Sequence, residues 1–166
     1  MMLELHNVTI GQQIRGLSAT VGEGKVLSIM GSQGKGKTTL LRALMGFLAV
    51  DEGHISIDGE LLTPLSAPWF RKQMAYVPQY MEVPEGFVFE EGGARREEGE
   101  CSQPSYLWLL ERAVKAGKAL LFIDEPRETL SAEDAERAER LINEAAASGA
   151  TVVAVNFSGT QNQIQL

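Results

Sequence analysis

A glycine-rich run followed by a lysine and a threonine constrains this chain more than any other feature of its sequence. Residues 31–38 match the pattern G-x-x-x-x-G-K-[ST] at every fixed position. The apolar run at 24–30 predicts a short buried strand before the pattern, and the apolar spacing at 38–45 predicts an amphipathic helix after it. A strand, a glycine-rich loop and a helix in this order are typical of a site for a nucleoside triphosphate.

The spacing within this run has a direct chemical explanation. Its glycines let the backbone curl so that N–H groups point at phosphate oxygens, and the start of the helix adds partial positive charge. Lys37 would reach the β- and γ-phosphates, and the Thr38 hydroxyl would bind a Mg²⁺ that bridges them. An accidental match in a glycine-rich turn is the alternative, and the flanking strand and helix disfavour it. The residues predicted to bind the nucleotide are Gly31, Ser32, Gln33, Gly34, Lys35, Gly36, Lys37, Thr38 and Thr39.

A pair of adjacent carboxylates follows a second apolar run. Residues 119–123 are apolar and lead directly into Asp124 and Glu125. A strand of this kind delivers its carboxylates to the carboxyl edge of a sheet, where open α/β sheets bind ligands. Asp124 is predicted to complete the Mg²⁺ shell, and Glu125 to activate the attacking water. A solvated strand end is the alternative, and the glycine-rich loop upstream favours the functional interpretation.

Three separated segments in this order resemble the nucleotide-binding subunit of ATP-binding cassette (ABC) proteins. They are residues 31–39, 76–79 and 120–126. The likeness extends to residues 3–18, which resemble the opening antiparallel strands of the family, and to a hairpin at 53–59. The resemblance implies a P-loop α/β fold of the ABC type, with a parallel sheet flanked by helices and an N-terminal antiparallel β layer. It also implies one nucleotide-binding domain over residues 1–166.

The resemblance implies a cofactor pair and a further site residue. The nucleotide is expected to be ATP, bound with Mg²⁺. Gln79 resembles the glutamine-loop residue that senses Mg²⁺ and the attacking water and links the site to a partner. A surface-loop glutamine is the alternative. The implied metal-binding residues are Thr38, Asp124 and Gln79, and the implied catalytic residues are Glu125, Lys37 and Gln79.

The chain departs from the family pattern at several accessory positions. The signature L-S-G-G-Q is not present, and residues 100–104, with Gln103 and Pro104, stand in its place. Phe157 occupies the position of the switch histidine, and residues 128–131 lack the aspartate of the dimer-contact loop. No aromatic residue near 10–11 is available to stack on adenine. These departures put a symmetric ATP sandwich in doubt.

The interval between Gln79 and Asp124 is too short for the helical subdomain that ABC relatives carry there. We expect residues 80–105 to be a shortened, mobile remnant of that subdomain. Residues 85–100 mix glycine with dense charge and show no helical or strand period, which predicts a surface loop. The alternative is a partner-docking loop, whose apolar anchors would be Tyr80, Met81, Phe87 and Phe89.

Composition favours a compact domain in a reducing compartment. A formal net charge of −7 disfavours nucleic acid as the main partner, because phosphate backbones require a basic face. The single cysteine, Cys101, cannot form an internal disulfide, which suits the cytoplasm. No apolar run approaches the length of a membrane-spanning helix and no signal peptide is evident, so membrane contact is expected only through a partner.

The last part of the sequence predicts a capped helix, a strand and a polar end. Ser131 begins a capping box, and Gly149 ends the helix. Residues 151–155 are expected to join the parallel sheet, and residues 159–166 to fray. The predicted apolar face of the helix consists of Ala135, Ala138, Leu141, Ile142 and Ala145.

The leading hypothesis is slow hydrolysis of MgATP by an ABC-type domain. The first alternative is a regulatory module that uses ATP to change shape or partners without turnover. The second is one half of a heterodimer, in which an ABC subunit with an intact signature supplies the missing cap. The resemblance implies a homodimer or a heterodimer with another ABC subunit as the assembly. A membrane-protein partner is implied by the resemblance alone. The sequence does not determine the preference for ATP or GTP, the cargo, or the identity of the partner.

Overall fold

In the computed structural model, the described strands form an antiparallel sheet, a parallel sheet and a separate hairpin. The structure describes residues 1–80, 88–90, 93–95, 105–127 and 129–166. The strands are β1 (Leu3–Ile10), β2 (Ile14–Val21), β3 (Val26–Met30), β4 (Glu52–Ile57), β5 (Glu60–Leu61), β6 (Met74–Val77), β7 (Val88–Glu90), β8 (Gly93–Arg95), β9 (Leu120–Ile123), β10 (Thr151–Val155) and β11 (Gln163–Gln165). The helices are α1 (Lys37–Leu44), α2 (Ala67–Arg71), α3 (Tyr106–Lys115) and α4 (Ala132–Ala147).

The parallel sheet has the strand order β11-β3-β10-β9-β6. Its inner strands are apolar on both faces because each face is covered. Leu27, Phe122 and Val153 point into a core shared with α1 and the antiparallel sheet. Leu121 and Val152 point into a second core, shared with α3 and α4. The sheet flanked by helices confirms the predicted fold class.

The antiparallel layer has the order β2-β1-β4-β5 and also confirms the prediction. The hairpin expected at 53–59 forms between β4 and β5. Its turn places Asp58 at φ +52° and Gly59 at φ +80°, the left-handed pair that suits the twist of two-residue hairpins. Leu3 and Leu5 of β1 are buried against the first core, so this layer covers one face of the parallel sheet.

Helix α4 begins and ends close to the positions that the sequence predicted. The Ser131 hydroxyl accepts a hydrogen bond from the Asp134 N–H at 3.1 Å, and Gly149 has a φ of +95° just beyond the helix. The predicted apolar face was wrong at Ala135, which is exposed, because the buried stripe continues instead to Ala146. None of the helices in the described ranges is both long and apolar enough to cross a membrane.

The expectation of a fraying segment at 159–166 was wrong. Residues 163–165 form β11, which pairs in parallel with β3. The Ser28 N–H donates to Asn162 O at 2.9 Å, and the Leu166 N–H donates to Met30 O at 2.9 Å. Backbone groups make this ladder, so the polar side chains do not prevent it, and Ile164 packs against the first core.

A short hairpin lies in the segment that was expected to be a loop. β7 pairs antiparallel with β8. No alternation of apolar and polar residues predicts this hairpin, because charged residues and glycines dominate the segment. The other residues of 81–104, including Met81, Phe87 and Cys101, lie outside the described residues, as do the side chains of both strands.

Candidate nucleotide-binding site

The carboxyl ends of parallel strands bring the predicted site residues to one edge of the sheet. β3 leads into Gly31, β9 into Asp124 and β6 into the segment with Gln79. β10, which lies between β3 and β9, leads into Asn156. Ligands of open α/β sheets bind at this edge. The structure therefore brings the loop, the carboxylates and the glutamine together, and adds an asparagine that the sequence did not indicate.

The phosphate loop depends on glycines in left-handed conformations. Gly34 and Gly36 have φ values of +83° and +89°. A Cβ at Gly36 would lie 3.0 Å from Gln13 Oε1, so space is short as well. Gly36 is the residue from which α1 starts, with Lys37 as its first helical residue. The glycine spacing thus serves the backbone turn that leads into the helix.

Gln13 supports the loop from the antiparallel layer and was missed by sequence reasoning. Its Nε2 donates a hydrogen bond to Gly34 O at 2.9 Å. Gln13 lies in the turn between β1 and β2, beside residues 10–11, where the adenine-stacking aromatic of the family is absent. A glutamine in a turn has no sequence signature, so only the three-dimensional structure shows this contact.

Lys37 is held over its own loop. Its side chain is 8% exposed, and Nζ donates to Gly31 O at 2.7 Å and to Ser32 O at 2.8 Å. Nζ also lies 3.7 Å from Glu125 Oε2. The ammonium group therefore connects the loop with the carboxylate at the end of β9.

A cluster of oxygens surrounds Asp124, which is only 1% exposed. The Thr38 hydroxyl donates to Asp124 Oδ2 at 2.8 Å. Gln79 Nε2 lies 3.4 Å from Thr38 Oγ1 and 3.5 Å from Asp124 Oδ1, and the Glu125 N–H donates to the same Oδ1 at 2.9 Å. Carboxylate and hydroxyl oxygens are ligands that Mg²⁺ prefers, so Asp124 and Thr38 fit the metal, whereas Gln79 turns its amide nitrogen toward them.

Two tyrosines face Asp124 and were not predicted as site residues. The Tyr76 hydroxyl lies 3.4 Å from Asp124 Oδ2, and burial together with this carboxylate raises the pKa of Tyr76 to about 12. The Tyr106 hydroxyl donates to Asp124 O at 2.6 Å. Burial and then the charges of Asp124 and Glu125 raise the pKa of Tyr106 well above its ordinary value. Both phenols stay protonated at neutral pH and act as donors.

Glu125 is the accessible carboxylate of the pair, with a side chain 43% exposed. It lines a cavity of about 560 Å³ between the end of β10 and α4. Asn156 and Phe157 line the same cavity. The polar groups in its lining and this volume give room for water beside the carboxylate.

Asn156 contacts both the loop and Glu125. Its Oδ1 accepts from the Gly31 N–H at 3.0 Å, and its Nδ2 donates to Glu125 Oε2 at 2.9 Å. Its φ of +52° is left-handed. The one available sequence signal was an asparagine at the end of a buried strand, a residue type that tolerates this conformation.

Phe157, at the position of the switch histidine, lies in the second core. Its side chain is 9% exposed, and its backbone N–H donates to Ser28 Oγ at 3.0 Å. The ring therefore provides packing, and the neighbouring Asn156 makes the polar contact with the site.

Some of the remaining predicted residues lie in the described part of the structure, and others do not. Ser32, Gln33 and Lys35 are exposed on the loop, and Thr39 is half-buried in α1. The segment that replaces the signature, with Gln103 and Pro104, lies outside the described residues, and so does Glu128.

The fold and the site define a P-loop nucleotide-binding domain. A glycine loop at the start of a helix faces a buried aspartate at the end of β9, which is separated from β3 by β10. The family model described as ABC transporter matches residues 14–165. The chain belongs to the ABC transporter family.

Curated relatives include ATP-binding proteins of import systems. The hemin import ATP-binding protein HmuV of Pseudomonas fluorescens is 36% identical over 94 residues, which cover 54% of this chain and 37% of the relative. HmuV of Streptomyces coelicolor is 29% identical over 173 residues, covering 84% of this chain and 62% of the relative. The chain thus spans less than two thirds of the length of each of these relatives.

A solved structure shares the fold along nearly the whole chain. It is the dimeric structure of a post-hydrolysis state of an ATP-binding cassette bound to ADP and Pi. The TM-score is 0.72 at 22% identity, with 99% of this chain and 94% of that chain covered. At this identity the likeness concerns the fold.

Proposed function

We propose that this chain binds MgATP and hydrolyses it slowly. The observation that carries the proposal is the juxtaposition of Thr38, Asp124 and Gln79 beside the Lys37–Glu125 pair, at one edge of the sheet. These groups match the parts that phosphoryl transfer needs: a cradle for phosphate, a metal site and a base.

Lys37 and the loop amides would hold the phosphates. Nζ now donates to the carbonyls of Gly31 and Ser32. Phosphate oxygens are stronger acceptors than amide carbonyls, so a bound triphosphate would draw Nζ away from them. The start of α1 adds its partial charge at the same place.

Mg²⁺ would be held by Thr38 Oγ1 and Asp124, with Gln79 beside them. When bound with ATP, the ion neutralises charge on the β- and γ-phosphate oxygens. The hydrogen bond from Thr38 to Asp124 already brings the two oxygens to 2.8 Å. The hydrogen bonds donated by Tyr106 and by the Glu125 N–H keep the end of β9 in position.

Glu125 would accept the proton of the attacking water. Its partial exposure and the cavity beside it give water access, and its position next to Lys37 Nζ places it near the phosphate end of the site. A positioned general base contributes about 10²–10⁴-fold to such a reaction.

A second candidate is a half-site that completes itself in a dimer. Phe157 is turned into the second core, so the switch position offers no polar group to the nucleotide. The solved dimer bound to ADP and Pi has the same fold. We therefore propose that a different ABC subunit, one with an intact signature, supplies the cap. A membrane-protein partner and a cytoplasmic location belong to the same proposal, and the import relatives favour them.

Steady-state phosphate release from MgATP tests the proposal, with Lys37→Ala as the blank for contaminating ATPases. We expect slow release by the wild type and none above background by Lys37→Ala. Glu125→Gln should bind MgATP but lose at least about a hundredfold in rate. Undiminished turnover by Glu125→Gln would refute the assignment of the base. Release only after addition of a subunit with an intact signature would select the half-site.

A further inference from the structure

Asn156 joins the phosphate loop to Glu125 through both ends of its amide group. The Gly31 N–H donates to its Oδ1 at 3.0 Å, and its Nδ2 donates to Glu125 Oε2 at 2.9 Å. Gly31 is the first residue of the loop, and Glu125 is the proposed base. One side chain therefore contacts the phosphate cradle and the carboxylate at the same time.

The backbone fixes the direction of this amide. The Asn156 N–H donates to Ile29 O at 2.9 Å, and the next residue, Phe157, is buried with its own N–H bonded to Ser28 Oγ. The φ of +52° is a conformation that asparagine adopts more readily than most residues. A side chain anchored on both sides in this way is held in place before it acts.

The second contact of Glu125 is of a different kind. Its Oε2 lies 3.7 Å from Lys37 Nζ, the cation that a triphosphate would attract. Lys37 would then turn to the phosphates, and their negative charge would repel the carboxylate. Asn156 is neutral and is tied to the backbone of the loop, so its hydrogen bond to Glu125 is not withdrawn in the same way.

We propose that Asn156 is a positioning residue that keeps Glu125 aligned when Lys37 engages the phosphates, and that it links the Gly31 amide to that carboxylate. The inference rests on the proposed hydrolysis. It assigns to Asn156 the orientation of the base through hydrogen bonding.

Asn156→Gly is the matched test because glycine accepts the same left-handed backbone while the side chain with its amide group is removed. We expect kcat for phosphate release to fall about tenfold, as for the loss of a hydrogen bond to a charged group, while KM changes by less than about twofold. Asn7→Gly is the control: it makes the same replacement at a φ of +50°, in β1 and outside the site. Wild-type kcat in Asn156→Gly would overturn the proposal.

A nuclear magnetic resonance measurement separates this inference from the proposed hydrolysis. In Glu125→Ala, the side-chain amide signals of Asn156 should shift because their acceptor is lost. In Asn156→Gly, the Gly31 amide should shift and exchange faster with solvent, and Asn7→Gly should leave it unchanged. If the wild type releases no phosphate, the proposed hydrolysis is refuted, and the Asn156 signals alone test the contact with Glu125. Asn156 signals that shift in Glu125→Ala support this contact, and signals that do not shift overturn it.

Discussion

The Thr38 hydroxyl donates a hydrogen bond to Asp124 Oδ2 at 2.8 Å, across 86 residues of sequence. This contact joins the first turn of α1 to the end of β9. Gln79 Nε2 lies 3.4 Å from Thr38 Oγ1 and 3.5 Å from Asp124 Oδ1. The protein's own hydrogen bonds thus hold the candidate metal-binding oxygens together, which limits the rearrangement that metal binding requires.

Replacement of Thr38 should distinguish the contribution of the metal to nucleotide affinity from that of the phosphate loop. Thr38→Val removes the hydroxyl at nearly constant volume, and Thr38→Ser keeps it. Since the hydroxyl is the proposed metal ligand, we expect Thr38→Val to lose at least about tenfold in affinity for a fluorescent ATP analogue with Mg²⁺, and much less without it. Titrations with and without Mg²⁺ measure this. If Mg²⁺ raised the nucleotide affinity of Thr38→Val as much as that of the wild type, Thr38 would not be a ligand of the ion.

Asp124 should also matter for stability. It is buried, and it accepts hydrogen bonds from the Thr38 hydroxyl and the Glu125 N–H. Asp124→Ala leaves these donors without their acceptor, so the free energy of unfolding should fall by about 2 kcal/mol. Asp124→Asn keeps an acceptor oxygen and should lose less. Urea unfolding compares the variants. Because asparagine fills the space of aspartate, equal losses would contradict the view that an acceptor oxygen at this position carries the stability.

The two tyrosines predict a loss of stability at high pH. The pKa of Tyr76 is raised from 10.0 to about 12 in the folded protein, first by burial and then by Asp124. Between these values the unfolded chain loses the proton while the folded chain keeps it, so unfolding becomes easier as pH rises. The stabilising contribution is therefore complete below pH 10 and is lost through pH 12. Tyr106 acts in the same direction.

Unfolding free energies measured across that interval test the tyrosine prediction. Tyr76→Phe and Tyr106→Phe should each make the decline less steep than in the wild type. Tyr106→Phe should also cost about 1 kcal/mol at neutral pH, because the hydrogen bond to Asp124 O is lost. Curves parallel to that of the wild type would exclude both phenols as the source of the decline.

Gly36→Ala should impair both folding and nucleotide binding. The left-handed backbone alone costs about 1–2 kcal/mol for alanine. The new Cβ would also lie 3.0 Å from Gln13 Oε1 at the phosphate loop. Gly117→Ala is a matched control, since Gly117 has a φ of +59° and no atom within 4 Å of the added Cβ.

The two glycine variants share the strain of a left-handed backbone, and they should differ in nucleotide binding. Thermal unfolding should detect a loss of stability in both variants. Titration with a fluorescent ATP analogue should detect weaker binding only in Gly36→Ala. Equal nucleotide affinities in the two variants would contradict the role of Gly36 in shaping the loop.

Much of the fold followed from the sequence because its signals are local. The buried strands β3, β9 and β10 are continuous apolar runs, and the start of α4 has a capping serine. Strand β11 was missed because its pairing depends on backbone groups of β3, which no side-chain period reveals. Ala135 was misplaced because the helical stripe alone did not fix which residues face the sheet.

The residues of the candidate site also fall into those that a local sequence motif predicts and those that it does not. The loop and the pair Asp124–Glu125 carry motifs, and the structure places them together at the sheet edge. Asn156, Tyr106 and Gln13 carry none, since each acts through a contact with a residue far away in sequence. Their positions depend on which strand ends are neighbours, and that information is not local.

The hydrogen bond from Gln13 to Gly34 connects the hairpin of β1 and β2 to the phosphate loop. The turn between β1 and β2 is carried by a sheet whose inner side chains lie in the first core, so it is firmly supported. The phosphate loop is thereby braced from a second direction as well as from β3. The antiparallel layer therefore contacts the candidate nucleotide site directly, at the backbone of Gly34.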